Sequence, residues 1–141
     1  MKKSEVTDRY LRDCNLVLLI FATVVHDYFE SDEYKLYLKE KHGVDSKKKL
    51  KFGEYPNFMI LKSFLSRRKC TLKIDELRLF RNVLVHEPYN LVVVYNYIKK
   101  YDEEISTVLQ ACAGFITSVD ISNYNVSELV NSLIKDLEEM I

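Results

Sequence analysis

The sequence predicts an all-α fold, an up-and-down helical bundle of about five to six helices that forms one domain over residues 1–141. Between residues 91 and 115, apolar and aromatic side chains recur at alternating spacings of three and four, the period of one helix face. Only three Gly and two Pro occur among the 141 residues, so few positions favour a break. With 48% hydrophobic residues, a chain of this length can bury a single core.

Capping signals predict two helices in the first part of the chain. Residues 6–29 are nearly all apolar in their middle, which is typical of a helix at the centre of a core. Ser31 is a favourable N-cap for a short second helix, and Gly43 is the residue type that most often ends one. Residues 44–53 then form a polar, Lys-rich loop.

Proline positions predict the next two helices. Pro56 suits the first turn of a third helix that runs to about Arg68. A fourth helical stretch covers residues 71–85 and must stop near His86, because Pro88 disfavours helical geometry at the residue before it.

The remaining apolar stripes predict two more helices. Asn90 is the expected N-cap of one long helix over residues 91–115, with Gly114 as its first stop signal. Ser127 is the expected N-cap of the last helix, whose apolar residues between 129 and 140 lie on one side.

The net charge of zero conceals a strongly basic segment. Residues 35–73 contain twelve basic and three acidic side chains, a balance of +9, whereas residues 102–141 contain eight acidic and one basic, a balance of −7. A basic block of this size can attract a polyanion while the acidic tail keeps the protein soluble. The alternative is that these lysines only form solvated helix faces and loops.

Cysteine usage and apolar run lengths predict a soluble cytoplasmic protein without metal or cofactor. The residues Cys14, Cys70 and Cys112 are far apart and include no CxxC pair, which argues against a zinc site or a disulfide framework. Charged residues directly after Met1 argue against a signal peptide, and no apolar run approaches the ~20 residues that span a bilayer. Three isolated glycines exclude a phosphate-binding glycine loop.

Three polar residues interrupt the apolar sequence at the end of the fourth predicted helix. Arg81, Asn82 and His86 lie immediately before a Pro-led turn, and buried polar residues are costly unless they have partners or a function. The Arg81 guanidinium suits a phosphate, and histidine is the side chain that exchanges a proton near neutral pH. A base and a cation are what metal-free RNA cleavage needs, to deprotonate a ribose 2′-hydroxyl and to stabilise charge on the phosphate.

Arg81-Asn82-x₃-His86 resembles the R-N-x₃-H form of the Rx₄₋₆H motif of the HEPN superfamily, small all-α domains that include many metal-independent endoribonucleases. The size, the helical content and the position of the motif before a further helix resemble that family more loosely. The resemblance implies that His86 and Arg81 are catalytic and that Asn82 supports them. It also implies a two-fold homodimer whose motifs face one another across a cleft, acting on RNA as a toxin or defence effector.

The chain departs from one subgroup of that family. HEPN toxins paired with minimal nucleotidyltransferase antitoxins resemble Rx₄HxY, with Tyr two residues after the His, whereas Tyr89 follows His86 by three residues with Pro88 between them. We keep an antitoxin or nucleotidyltransferase as a partner to be tested, and the spacing argues against Tyr89 as its target.

If the basic segment flanks the motif cleft, its residues are expected to hold the RNA backbone on either side of the scissile bond without reading its sequence. These residues are Lys47, Lys48, Lys49, Lys51, Arg67, Arg68 and Lys69. Tyr89 is expected to stack on a base, as Tyr95, Tyr97 and Tyr101 also could, although packing is the commoner use of tyrosine.

The helical period raises a geometric question about the motif. At ~100° per residue, Arg81 and His86 lie ~140° apart around an ideal helix. Either the helix unwinds near Val85, or residues from two subunits complete each site.

Structural roles are the alternatives for the individual residues. His86 could cap the carbonyls that end its helix, Arg81 could pair with Glu76 or Glu87, and Asn82 could bond to the backbone. His26 and Asp27 could form an acid–base pair or be polar residues at a helix end.

Two other functions fit the pattern. The chain could be a non-catalytic HEPN-like module that binds nucleic acid, a nucleotide or a partner protein. It could also be an oligomerisation module that uses the apolar seam at residues 91–115.

Overall fold

The computed structural model describes residues 6–44 and 56–141, and within them it contains seven α-helices and no β-strand. The all-α class is therefore confirmed, with at least one helix more than predicted. The helices are α1 (Asp8–Phe29), α2 (Asp32–His42), α3 (Pro56–Ser66), α4 (Ile74–His86), α5 (Leu91–Lys100), α6 (Asp102–Phe115) and α7 (Leu129–Met140), and a 3₁₀ turn (Val126–Glu128) precedes α7.

The first helix, α1, is the centre of the core, as its apolar sequence predicts. It packs against α2, α3, α4, α6 and α7, and nine of its residues are buried. Thr7 caps it, because the Thr7 side chain accepts a hydrogen bond from the Tyr10 amide at 3.2 Å.

The predicted caps of the second helix are confirmed. Ser31 Oγ accepts a hydrogen bond from the Tyr34 amide at 3.2 Å, and Gly43 ends α2 with a φ of 64°, a left-handed conformation that glycine adopts without strain. The third helix begins at Pro56, as predicted. Apart from Val44, the predicted Lys-rich loop lies outside the described residues, and so do Lys47, Lys48, Lys49 and Lys51.

The fourth helix ends where Pro88 predicts and begins three residues later than expected. Lys73 occupies the N-cap position, and Asp75 and Glu76 follow in the first turn, where carboxylates stabilise the positive end of the helix dipole. At the other end, the Glu87 amide donates to the Val83 carbonyl at 2.8 Å.

The prediction of one long helix over residues 91–115 is wrong, because the chain bends at Tyr101, where φ is −125° and ψ is 29°. Charges on either side explain the break. Lys99 and Lys100 end α5, whereas three acidic residues begin α6 at Asp102, so each helix end carries the charge that its dipole favours. In addition, Asp102 Oδ1 accepts a hydrogen bond from the Glu103 amide at 2.7 Å.

The apolar seam of these two helices faces the protein's own core. Val94 and Ile98 of α5 and Ile105, Val108 and Cys112 of α6 are fully buried. A seam that is already covered within one chain is not an exposed surface for oligomerisation, so that alternative loses its basis.

The predicted cap of the last helix is also wrong. Ser127 lies within the 3₁₀ turn, and its hydroxyl donates to Asn125 Oδ1 at 2.7 Å rather than capping α7. The predicted apolar side of α7 is confirmed, because Leu129, Val130, Leu133 and Leu137 are buried.

None of the described helices is by itself both long enough and apolar enough to be a candidate membrane span. Among the described helices, the pair α1 and α2 has the required length and apolar character when taken together, and the two helices are bent by 69° relative to each other.

Asp27 joins the end of α1 to the segment after α6. Its side chain is 7% exposed and accepts hydrogen bonds from the Thr117 and Ser118 amides at 2.9 and 3.1 Å. His26 Nδ1 lies 3.1 Å from Asp27 Oδ1, so the two residues form a polar anchor at a helix end. Burial opposes ionisation, but the hydrogen bonds from Ser118, Thr117 and His26 outweigh it and hold the pKa of Asp27 below its usual range.

Replacing Asp27 by Asn is therefore expected to lower the free energy of unfolding by about 1–2 kcal/mol near neutral pH. A carboxyl with a lowered folded-state pKa stabilises the protein above the unfolded-state value of about 4 and loses that contribution as the pH falls. Urea unfolding of both proteins should thus show a difference that is largest above about pH 5 and shrinks below about pH 4. Asp120→Asn is the control: Asp120 is exposed and accepts its hydrogen bonds from Ser122 in the same loop, so its replacement should lower the unfolding free energy less. A pH-independent difference for Asp27→Asn contradicts the prediction.

Candidate active site

The last turns of α4 carry Arg81, Asn82 and His86. The helix is continuous to His86, so it does not unwind near Val85, which was one of the two predicted arrangements. Arg81 and His86 therefore leave the helix about 140° apart around its axis and about 7.5 Å apart along it. Within one chain, the two residues do not share a helix face.

Asn82 connects the two sides of the motif. Arg81 Nη1 donates a hydrogen bond to Asn82 Oδ1 at 3.2 Å, which holds the guanidinium beside the amide. Asn82 and His86 are four residues apart, which places them next to each other on one face of α4. Among the described residues, no carboxylate forms an ion pair with the half-buried Arg81, so the predicted alternative of an ion pair with Glu76 or Glu87 is not observed.

His86 is the last residue of α4 and is exposed. Within residues 6–44 and 56–141, its ring takes part in no hydrogen bond, so the predicted alternative of a capping histidine is not observed either. An exposed imidazole with free ring nitrogens can both accept and donate a proton to a bound molecule.

Two tyrosines that the sequence did not single out for this role hold the motif in place. The fully buried Tyr10 of α1 donates its hydroxyl to the Pro88 carbonyl at 2.7 Å, which ties the turn after the motif to the central helix. Tyr97 of α5 donates to the Glu76 carbonyl, and its ring stacks on Phe80 with centroids 5.3 Å apart. The only sequence signal for these contacts was the need of a buried tyrosine hydroxyl for a partner.

Exposed apolar residues lie before, within and after the motif in the sequence. Five of the eleven large hydrophobic residues that are exposed in the described chain lie between residues 79 and 93. We call this group the motif patch, and its members are Leu79 (48% exposed), Val85 (39%), Tyr89 (66%), Val92 (55%) and Val93 (40%). The number of exposed apolar residues in this short stretch makes the motif patch a candidate surface for contact with another molecule.

Three of the basic residues expected to bind RNA come before α4, at the opposite end of that helix from His86. Arg67, Arg68 and Lys69 precede the start of α4, whereas His86 ends it, and a helix of 13 residues is about 18 Å long. That Arg67, Arg68 and Lys69 hold RNA beside the scissile bond therefore stays a prediction.

Two of those arginines have partners within the protein. Arg67 pairs with Glu40 at 3.2 Å. Arg68 donates to both carboxylate oxygens of Glu33 at 3.0 Å and to the Phe64 carbonyl at 2.8 Å, and its guanidinium carbon lies 3.7 Å from the centre of the Phe64 ring. Arg68 therefore serves packing between α2 and α3, whereas Lys69 is exposed.

The four tyrosines near the motif differ in what they can contact. Tyr89 is the most exposed, so its ring is accessible to a base. Tyr95 donates to Glu138 at 3.0 Å, and Tyr97 packs between Phe80 and Tyr101. Tyr95 and Tyr97 therefore connect α5 to neighbouring helices.

Comparisons with protein-family models, with curated proteins and with solved structures give no match to the chain.

Proposed function

We propose that this protein is a metal-independent endoribonuclease of the HEPN type, which acts as a toxin or defence effector and uses Arg81, Asn82 and His86 as a homodimer. The observation that carries the proposal is which contacts these three side chains make and which they lack. Arg81 is hydrogen-bonded to Asn82 and has no carboxylate partner among the described residues, while His86 is exposed and without a hydrogen bond there. A cation and a proton-exchanging group are thus both available to a substrate.

In the proposed reaction, His86 removes the proton from a ribose 2′-hydroxyl, and the 2′-oxygen attacks the adjacent phosphorus. The bond from phosphorus to the 5′-oxygen breaks, and that oxygen takes up a proton from a protonated His86 imidazole or from water, so His86 serves as general base or acid. The products are a 2′,3′-cyclic phosphate and a 5′-hydroxyl end. Arg81 stabilises the negative charge that builds on the phosphate oxygens in the transition state, and Asn82 positions its guanidinium.

Pairing of two chains through the motif patch is part of the proposal. Arg81 and His86 extend from α4 about 140° apart, and we propose that each site takes Arg81 from one chain and His86 from the other. The motif patch supports this arrangement, because apolar residues around a polar site would be covered when two copies pair about a two-fold axis.

RNA contacts outside the motif remain predictions. Tyr89 is accessible for base stacking and Lys69 for phosphate binding, and Lys47, Lys48, Lys49 and Lys51 lie outside the described residues. Arg67 and Arg68 can contribute only if they exchange Glu40 and Glu33 for phosphate.

The purified protein should cleave single-stranded RNA in the presence of EDTA. The same RNA with 2′-O-methyl groups should resist, because it has no 2′-hydroxyl to attack, and mapping of the product ends should find 2′,3′-cyclic phosphates. Cleavage that needs an added metal ion, or that proceeds equally on the methylated RNA, would refute the proposed reaction. Binding of RNA without any cleavage would instead favour a non-catalytic nucleic-acid-binding module.

A further inference from the structure

The turn that follows the motif is tied to the core by one hydroxyl group. The Asn90 amide donates to the Glu87 carbonyl at 3.0 Å, which closes a four-residue turn with Pro88 in its second position. The Pro88 carbonyl accepts the Tyr10 hydroxyl at 2.7 Å. This carbonyl belongs to the central peptide of the turn, only two residues beyond His86.

The central peptide is the part of such a turn that can flip. Type I and type II turns differ mainly in its orientation, and type II requires a positive φ at the third position. Lys69 is the only non-glycine residue with a positive φ in the described chain, so Tyr89 has a negative φ and the turn is of type I. A hydrogen bond to the Pro88 carbonyl therefore selects one of two orientations for the peptide that leads into Tyr89.

The group that makes this bond is itself firmly held. The Tyr10 amide is bonded to the Thr7 cap, and the preceding residue, Arg9, forms an ion pair with the buried Asp136 of α7. Tyr10 is fully buried. Burial raises the pKa of the Tyr10 hydroxyl far above its ordinary value, so the group remains protonated and can donate at neutral pH.

We propose that Tyr10 is a positioning residue for His86: its hydroxyl fixes the turn at Pro88, and the turn fixes the end of α4 that presents the imidazole. As a statement about catalysis this rests on the proposed ribonuclease function, but the effect on the turn and on His86 does not. Small displacements of a catalytic group lower the turnover rate strongly, because the reacting atoms no longer meet in line.

Tyr10→Phe removes the hydroxyl and leaves the ring. Tyr28→Phe is a matched control, since Tyr28 also lies on α1, is also fully buried, and donates or accepts one hydrogen bond at 2.8 Å, but with Ser63 of α3 instead of the motif turn. Both variants lose one buried hydrogen bond, so a general loss of stability would affect them alike.

The first readout is independent of any activity. Hydrogen exchange of the Asn90 amide should be about tenfold faster in Tyr10→Phe and unchanged in Tyr28→Phe, because only the former frees the turn. In NMR spectra, the imidazole resonance of His86 should shift or broaden in Tyr10→Phe alone, while those of His26 and His42 stay in place. Equal effects of the two variants, or no change at Asn90 and His86 in Tyr10→Phe, overturn the proposal.

The second readout is RNA cleavage. Tyr10→Phe should lower kcat about tenfold with KM within about twofold, because the phosphate contacts remain while the base is less well placed. A fall confined to KM would contradict the positioning role. If the wild-type protein does not cleave RNA, the proposed function fails, while the exchange and NMR results still decide whether Tyr10 positions His86.

Discussion

His86→Ala should lower the rate of metal-free RNA cleavage by about a thousandfold, since it removes the group that takes the proton from the 2′-hydroxyl in the proposed mechanism. The substitution should cost little stability, because His86 is exposed and has no hydrogen bond among the described residues. Cleavage of a labelled RNA in EDTA, followed at several enzyme concentrations, measures the change.

His42→Ala is the matched control for this variant. His42 is likewise the last residue of a helix and exposed, so its removal reproduces any effect of losing a helix-terminal histidine. The control should cleave RNA at the wild-type rate. If His86→Ala cleaves as fast as His42→Ala, His86 is not the catalytic base and the proposed mechanism is wrong.

Arg9→Met should produce the largest loss of stability among the variants considered, because it leaves a buried charge without its partner. The side chain of Asp136 is 1% exposed, and its Oδ1 accepts a hydrogen bond from Arg9 Nε at 2.7 Å. Its Oδ2 is buried without a partner among the described residues. Without the guanidinium, no opposite charge compensates the free-energy cost of burying the Asp136 carboxylate.

Asp136→Asn is the informative comparison, since it removes the buried charge and keeps an acceptor for Arg9. The reduction in unfolding free energy for Arg9→Met should exceed that for Asp136→Asn by roughly twofold or more, because the Arg9 side chain can turn to solvent. The double variant Arg9→Met/Asp136→Leu should recover much of the loss. Equal losses in both single variants, measured by urea unfolding, would contradict the asymmetry.

Local signals in the sequence were sufficient for most helix boundaries. Ser31 and Gly43 bracket α2 because each satisfies backbone groups within a few residues, and Pro88 limits α4 through its own ring. The break at Tyr101 was missed because the apolar period continues across it. The change from Lys99 and Lys100 to the acidic start of α6 was the better indicator, since it marks the end of one dipole and the start of the next.

The candidate site was predictable only as far as its residue types. Arg81, Asn82 and His86 could be identified by spacing, but their adjacency on a helix did not predict the Arg81–Asn82 hydrogen bond. The contact between Tyr10 and Pro88 joins residues 78 positions apart, so no local pattern contains it. The expectation that Arg67 and Arg68 bind RNA stays a prediction, and local charge does not reveal that Glu40 and Glu33 from another helix pair with them.

Mixing two inactive variants tests most directly whether the site is shared between subunits. Arg81→Ala and His86→Ala are each expected to be inactive as pure dimers. If every site takes Arg81 from one chain and His86 from the other, a mixed dimer has one intact site, and random mixing should restore about one quarter of the wild-type rate. A mixture that stays as inactive as its components, although the subunits have exchanged, would show that each site is built within a single chain.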